Sequence, residues 1–188
     1  GAGRLRGQGG AVVVNLGVVN VTTNSQFNWG GTGPAPVWIN HGTFNRSAGT
    51  DFFYFNNVYL TNTGGIYNST GTLSIYNSVF SNGGLISVSG SQLQFWASTG
   101  TNTSTISVGA TTLFTVENGS SVGFGPAASL SVPGYNNARF ISGSVFLGTT
   151  NIATALTQSA APNVGSAIVL LSPTSATSAG ADDVSATV

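Results

Sequence analysis

The chain has 188 residues and a formal net charge of zero, with only 4% charged residues, whereas ordinary soluble domains carry about 25%. Four arginines are its only strong cations, which is too few to neutralise a phosphate backbone, so nucleic-acid binding is excluded. The absence of cysteine excludes disulfide frameworks, zinc–thiolate sites and thiol nucleophiles.

The first ten residues are rich in glycine and contain two arginines, so residues 1–10 are predicted to form an N-terminal arm. Short apolar segments follow from residue 11 to residue 150, separated by Gly, Asn, Ser or Thr. Segments of this kind predict many short β-strands joined by tight turns. They include Val12–Val14, Gly17–Val21, Val37–Ile39, Phe52–Phe55, Val58–Leu60, Thr72–Tyr76, Leu85–Val88, Leu93–Trp96, Thr105–Val108, Thr112–Val116, Ser129–Val132 and Ser144–Leu147.

The segments repeat in character about every twenty residues, most clearly between residues 50 and 116. Tyr59–Asn62 lies twenty residues before Val79–Asn82, and Ile86 lies twenty before Ile106. The period predicts an all-β parallel β-helix, or solenoid, over residues 11–150, in which stacked coils bury a shared core. Asn62 and Asn82 are expected to form one step of an asparagine ladder. A β-sandwich or jelly roll is the alternative fold.

The stretch Gly64–Asn82 resembles the repeats of right-handed parallel β-helices in pectin-lyase-like secreted and cell-surface proteins. Its glycine pair, its Gly-Thr-Leu step and its Asn-Ser pairs carry the resemblance. The resemblance concerns the fold, which hosts adhesins, tail spikes, polysaccharide lyases and structural rods, so it implies no single activity.

From about residue 151 the pattern decays into Ser, Thr and Ala. Residues 151–188 are therefore predicted to be a C-terminal extension that forms either a tail or an assembly strand, and residues 167–171 could add one strand.

The sequence offers no catalytic, cofactor or metal site. Polysaccharide cleavage needs paired carboxylates, but Asp51 and Glu117 lie 66 residues apart and out of register with the period. His41 follows Asn40 and precedes glycine, and it is interpreted as a turn histidine rather than a base or ligand. The protein is therefore predicted not to be an enzyme.

Aromatic side chains are the strongest candidates for contacts with partners. Phe52–Phe55 is a run of four aromatic residues, and in a strand two of them must face outward. Outward aromatics on a rod would contact other copies of the chain or glycans. The candidate contact residues are Phe53, Phe55, Tyr59, Tyr67 and Trp96.

Five Asn-x-Ser/Thr sequons are candidate N-glycosylation sites if the protein is secreted by a eukaryote. They are Asn20, Asn45, Asn68, Asn102 and Asn118. With this much Ser and Thr, about five would occur by chance, so their number is uninformative.

A surface with almost no charge repels its copies weakly and favours association. The leading hypothesis is a non-catalytic, extracellular or cell-surface structural protein, a β-solenoid that associates with itself in a fibre or surface layer. A glycan-binding adhesin is the alternative, and a polysaccharide lyase or hydrolase relative is the third. No apolar run approaches the ~18 residues of a membrane span.

Overall fold

The computed structural model describes residues 3–125, 127–132, 138–141, 144–147, 163–165 and 168–171. Every regular element among them is a β-strand, and the strands pair in parallel. Each coil gives one strand to each of three sheets. The predicted parallel β-solenoid is confirmed. The alternative β-sandwich is wrong, because its strands would be antiparallel.

Six coils have three strands each, and sheets A and B continue for two further coils. Sheet A consists of β1 (Gly3–Gly7), β4 (Ser25–Trp29), β7 (Phe52–Asn56), β10 (Thr72–Tyr76), β13 (Gln92–Trp96), β16 (Leu113–Glu117), β19 (Ala138–Ile141) and β21 (Asn163–Gly165). Sheet B consists of β2 (Val12–Asn15), β5 (Val37–Asn40), β8 (Tyr59–Asn62), β11 (Val79–Asn82), β14 (Thr99–Asn102), β17 (Ser121–Phe124), β20 (Ser144–Leu147) and β22 (Ile168–Leu171). Sheet C consists of β3 (Val18–Val21), β6 (Thr43–Arg46), β9 (Gly65–Asn68), β12 (Leu85–Val88), β15 (Thr105–Val108) and β18 (Ser129–Ser131).

The solenoid extends beyond the predicted range of residues 11–150 at both ends. Residues 3–7 form β1 and pair with β4, so this part of the predicted arm belongs to sheet A. At the other end, β21 and β22 lie within the predicted extension and continue sheets A and B. The remainder of residues 151–188 lies outside the described residues.

The twenty-residue period is confirmed where it was clearest. Phe53, Leu73 and Leu93 are successive ladder partners in sheet A, each twenty residues after the one before. Between coils 2 and 3 the spacing rises to 28 residues, since Ser25 pairs with Phe53. The extra chain includes residues 30–36, whose carbonyls at Thr32 and Pro34 accept backbone hydrogen bonds from the first coil at 3.1 and 3.0 Å.

Alternate side chains on each strand enter the core, as the pleat of a strand requires. Coils 2 and 3 are filled by an aromatic cluster in which Trp38 lies 5.1 Å from Phe27 and 5.7 Å from Phe55, centroid to centroid. Later coils are filled mainly by Leu, Ile and Val. The largest buried apolar side chains are Phe27, Phe44, Phe55, Phe95, Phe114, Ile66, Leu73, Ile75, Ile86, Leu93 and Ile106.

A ladder of five buried asparagines runs along the turn between sheets B and C. Each of the first four, Asn15, Asn40, Asn62 and Asn82, donates from Nδ2 to the Oδ1 of the next asparagine at 2.5 to 2.7 Å, and the ladder ends at Asn102. Each Nδ2 also donates to a backbone carbonyl of the turn or of the next coil. The predicted pair of Asn62 and Asn82 is confirmed, and the ladder satisfies polar groups that the turn would otherwise bury unpaired.

Glycines make the same turn possible. A Cβ on Gly42, Gly64 or Gly84 would collide with the carbonyl oxygen of the glycine one coil earlier. The turns therefore stack with their backbones in direct contact, which only glycine permits.

A second ladder of serines fixes the turn between sheets A and B. Ser78 donates its N–H to Ser98 Oγ, and Ser98 donates its N–H to Ser120 Oγ, both at 3.0 Å. The residue before each of the first two serines, Asn77 or Ala97, has a positive φ. Asparagine tolerates this left-handed backbone conformation well.

Among the side chains that the structure describes, one charged group lies inside the solenoid. Arg46 is fully buried, and its guanidinium donates to the Asn68 and Asn24 side chains and to the carbonyls of Thr72, Gly49 and Asp51, at 2.6 to 3.4 Å. Burial lowers the pKa of Arg46 below its ordinary value, and the nearby Asp51 carboxylate partly opposes this. These acceptors make a buried cation tolerable without a paired carboxylate.

Candidate functional site

The titratable side chains are dispersed along the solenoid. Asp51 precedes β7 and Glu117 ends β16, so three coils separate them. His41 lies in the turn between β5 and β6, as predicted, with its Nδ1 2.7 Å from Thr63 Oγ1. Among the described residues, no group of three or more His, Cys, Asp or Glu side chains could hold a metal ion. The outer faces of the three sheets are therefore the candidate sites.

The predicted exposure of Phe53 and Phe55 is wrong. Both are buried, because their ladder partners are the core residues Leu73 and Ile75. The outward residues of this strand are Phe52 and Tyr54 instead. The repeat could have predicted which side chains face outward. One period later, Phe52 and Tyr54 align with polar Thr72 and Ser74, whereas Phe53 and Phe55 align with apolar residues.

The outer face of sheet A carries an aromatic cluster whose rings pack on one another. Phe52 stacks on Tyr54 at 5.0 Å, Tyr54 meets Tyr76 edge-on at 5.8 Å, and Tyr76 stacks on Trp96 at 6.2 Å. Burial, the Asp51 carboxylate and then Tyr76 raise the pKa of the Tyr54 hydroxyl above its ordinary value. Because the ring faces pack against neighbouring rings within the cluster, mostly ring edges are left for contact with a partner.

The outer face of sheet C presents a single aromatic ring. Tyr67 is 40% exposed, and its ring lies across Gly65, since a Cβ on that glycine would meet the ring atoms at 2.5 to 3.0 Å. Its neighbours in the same column are Asn45 and Ser87. The ring therefore lies against the sheet, with uncharged polar residues on both sides in its own column and Leu85 beside Gly65 in the next column.

The outer face of sheet B carries an apolar surface that extends through four coils in one column and through two coils in the next, and we call this surface the valine face. One column consists of Val12, Val37, Tyr59 and Val79, and the next column begins with Val14 and Ile39. Leu16 and Val18 extend it around the turn toward sheet C. Six of its members are among the most exposed large apolar side chains: Val12, Val14, Leu16, Val18, Tyr59 and Val79.

Further along sheet B the valine face gives way to hydroxyls. Thr99 follows Val79 in the first column, and Thr61, Ser81 and Thr101 follow Ile39 in the second. From β2 to β14 the outward residues of sheet B thus change from apolar to hydroxyl-bearing, although the parallel pairing of the strands is the same throughout. Sequence analysis missed this face because its members come from four different coils.

Two of the five predicted glycosylation sites are wrong. Asn68 and Asn102 are buried inside the solenoid, where Asn68 accepts from Arg46 and Asn102 ends the asparagine ladder. Asn20 and Asn118 are exposed, and Asn45 is half-buried and donates to Asn20 Oδ1 at 3.1 Å. Glycosylation of these three stays a prediction.

Comparison with protein-family models, curated proteins and solved structures found no match. Membership of the pectin-lyase-like family therefore stays a prediction, while the solenoid fold is shown by the strand pairings. In the described part of the chain, no helix is long and apolar enough to span a membrane.

Proposed function

We propose that this protein is a non-catalytic structural solenoid that associates with other copies of itself through the valine face. The observation that carries the proposal is the contiguous group of exposed apolar side chains on the outer face of sheet B and the adjoining turn into sheet C. Contiguous apolar surface is costly to leave in water, and on soluble proteins it marks an interaction site.

A second copy of the chain is the occupant that fits this face best. The valine face contains no charged residue. A partner therefore needs no complementary charge, and two copies of the face do not repel each other electrostatically. The net charge of zero removes long-range repulsion between molecules. A two-fold contact would place the same columns against each other, as two sheets pack about 10 Å apart in a sandwich.

Substitution of the valine face by threonine tests this proposal. Val12→Thr combined with Val37→Thr makes these positions like Thr99, which lies in the same column, four strands from Val12 and three from Val37. The fold already accommodates threonine there, so the variant keeps strand propensity while it loses apolar surface. Leu85→Thr is the control on sheet C, because its own column already contains threonine at Thr43 and Thr105.

Sedimentation velocity over a concentration series provides the measurement. The parent protein and Leu85→Thr are expected to associate as concentration rises, whereas the double variant remains monomeric. A parent protein that is monomeric throughout, or a double variant that associates as strongly as the parent, would contradict the proposal.

A glycan-binding role is the second candidate, and the ring of Tyr67 is the observation that favours it. An exposed aromatic ring beside uncharged polar groups can stack against the apolar face of a sugar, while Asn45 and Ser87 supply hydrogen-bonding groups beside it. Affinity electrophoresis in a neutral β-glucan tests this. Tyr67→Ala should abolish retardation and Tyr59→Ala should preserve it. Equal migration of all three proteins with and without glucan would sink the idea.

We also infer an extracellular or cell-surface location. The near absence of charge and the complete absence of cysteine and lysine support it. Fractionation of the source cells with an antibody to the protein tests the location, and recovery in the soluble cell interior would contradict it.

A further inference from the structure

The sequence contains two Asn-Gly dipeptides, Asn82-Gly83 and Asn118-Gly119. In this dipeptide the amide nitrogen of the glycine can attack the side-chain carbonyl carbon of the asparagine. Glycine favours the reaction because it has no side chain to obstruct the approach and its backbone moves freely. The structure places the two dipeptides in opposite surroundings.

Asn118 and Gly119 lie at the surface in the turn between β16 and β17. Both are exposed, with φ values of 53° and 74°. Two positive φ values at the centre of a turn are typical of type I′, which favours Asn-Gly. The N–H of Ser120 closes the turn by donating to the Glu117 carbonyl at 3.1 Å. Within the described residues, neither the Asn118 side chain nor the Gly119 N–H makes a hydrogen bond.

One extra residue in the turn leaves the backbone nitrogen of Gly119 without a hydrogen-bond acceptor among the described residues. In the two preceding coils the residue after the positive-φ position is the ladder serine, Ser78 or Ser98, and its N–H donates to the serine of the next coil. In the sixth coil Gly119 stands between Asn118 and the ladder serine, Ser120. The serine ladder therefore continues through Ser120 and leaves the Gly119 nitrogen outside it.

Asn82-Gly83 is protected at every reacting atom. The Asn82 side chain is 2% exposed and donates to Asn102 Oδ1 at 2.5 Å and to the Gly84 carbonyl at 2.7 Å. Its Oδ1 accepts from Asn62 at 2.6 Å. The nitrogen that would attack, that of Gly83, donates to the Asn62 carbonyl at 2.7 Å. Attack here would require the asparagine ladder to open.

We propose that Asn118 is a site of spontaneous self-modification. The Gly119 nitrogen loses its proton and forms a bond to Asn118 Cγ, and the side-chain nitrogen leaves as ammonia, which yields a five-membered succinimide. Water then adds to one of the two ring carbonyls and the bond from that carbon to the ring nitrogen breaks. The product is aspartate or isoaspartate, so the net reaction consumes one water and releases one ammonia.

The modification adds one negative charge to a chain in which only 4% of the residues are charged. It places a new carboxylate next to Glu117 and takes the formal net charge from zero to minus one. The isoaspartate product also lengthens the main chain of the turn. The site lies two coils beyond the valine face, so the inference is independent of the proposed function.

Peptide mapping by mass spectrometry tests the inference on the folded, unglycosylated protein incubated at mildly alkaline pH. Asn118 is expected to convert to a mixture of aspartate and isoaspartate at least about tenfold faster than Asn82, because reaction at Asn82 requires local unfolding. The same chain in urea is the control, in which both asparagines should convert at similar rates.

Two results would overturn the inference. One is an intact Asn118 in the folded protein after the time in which the urea-treated chain has converted. The other is a ratio of the two rates in the folded protein that is below ten. Ala in place of Gly119 is unsuitable as the main variant because φ there is positive, so the internal comparison with Asn82 carries the test.

Discussion

Replacing one ladder asparagine by an isosteric carboxylate tests how the coils are held together. In Asn82→Asp the side chain keeps its size and can still accept the hydrogen bond from Asn62. It can no longer donate to Asn102 Oδ1 or to the Gly84 carbonyl. The Asn102 Oδ1 and the Gly84 carbonyl oxygen, which accept hydrogen bonds from Asn82, would instead face a buried negative charge.

The expected loss of stability follows from these contacts. Two donated hydrogen bonds contribute about 1 kcal/mol each. The uncompensated buried charge raises the total to about 3–5 kcal/mol at neutral pH, the range found when one partner of a buried ionic contact is removed. Asn77→Asp is the matched control, since Asn77 is exposed at the serine turn and aspartate tolerates its positive φ. Its effect should stay within about 0.5 kcal/mol.

Equilibrium urea unfolding at several pH values measures both effects. Burial raises the pKa of the new carboxyl, and its protonated form can donate to Asn102 Oδ1. As pH rises from about 4, the unfolded chain loses this proton first, so the folded state binds more protons and the variant becomes less stable relative to the parent. A cost below about 1 kcal/mol at pH 7, or a cost that grows as pH falls, would refute this reasoning.

Three further predictions concern other parts of the solenoid. Gly84→Ala should prevent folding because its Cβ would collide with the backbone of the previous coil, whereas Gly17→Ala, with open space at the Cβ position, should fold; circular dichroism distinguishes them. Burial first, and then Asp51, raise the pKa of Tyr54, so the unfolded chain ionises first and stability falls as pH rises above about 10. Asp51→Asn should lower the pKa of Tyr54 while burial still raises it, which ultraviolet titration follows. Because the chain has no other thiol, Val37→Cys should give disulfide-linked dimers under air if the valine face pairs, and a cysteine on the outer face of sheet C should not.

The repeat made the architecture predictable. Tyr59–Asn62 and Val79–Asn82 differ in most residues, yet their shared pattern placed them correctly in neighbouring coils. The asparagine ladder followed from the same period, since an amide that recurs at a turn can bond to its neighbours above and below. The same alignment could have shown that Asn102 belongs to this ladder and is no glycosylation site.

Strand orientation was harder to predict where the local pattern is uniform. Phe52–Phe55 is aromatic throughout, so alternation within the strand cannot say which two side chains enter the core. The decision comes from the partner strands, which lie twenty residues away and alternate clearly. The wrong prediction at Phe53 and Phe55 arose from treating this strand on its own.

Some features have no local signal in the sequence. Arg46 occupies an interior column with Val21 on one side and Asn68 on the other, and its acceptors come from three separate turns. β1 is rich in glycine with two outward arginines, so Leu5 is its only apolar side chain and too little to predict a strand. Tertiary contact determines both cases, and the repeat breaks near both because of the long second coil.

Electron microscopy of the native protein at neutral pH, before any denaturant, tests the central claim most directly. The account predicts rods that lie side by side in pairs or larger bundles, and Val12→Thr combined with Val37→Thr should separate them. Single rods that stay apart at every concentration would contradict self-association through the valine face.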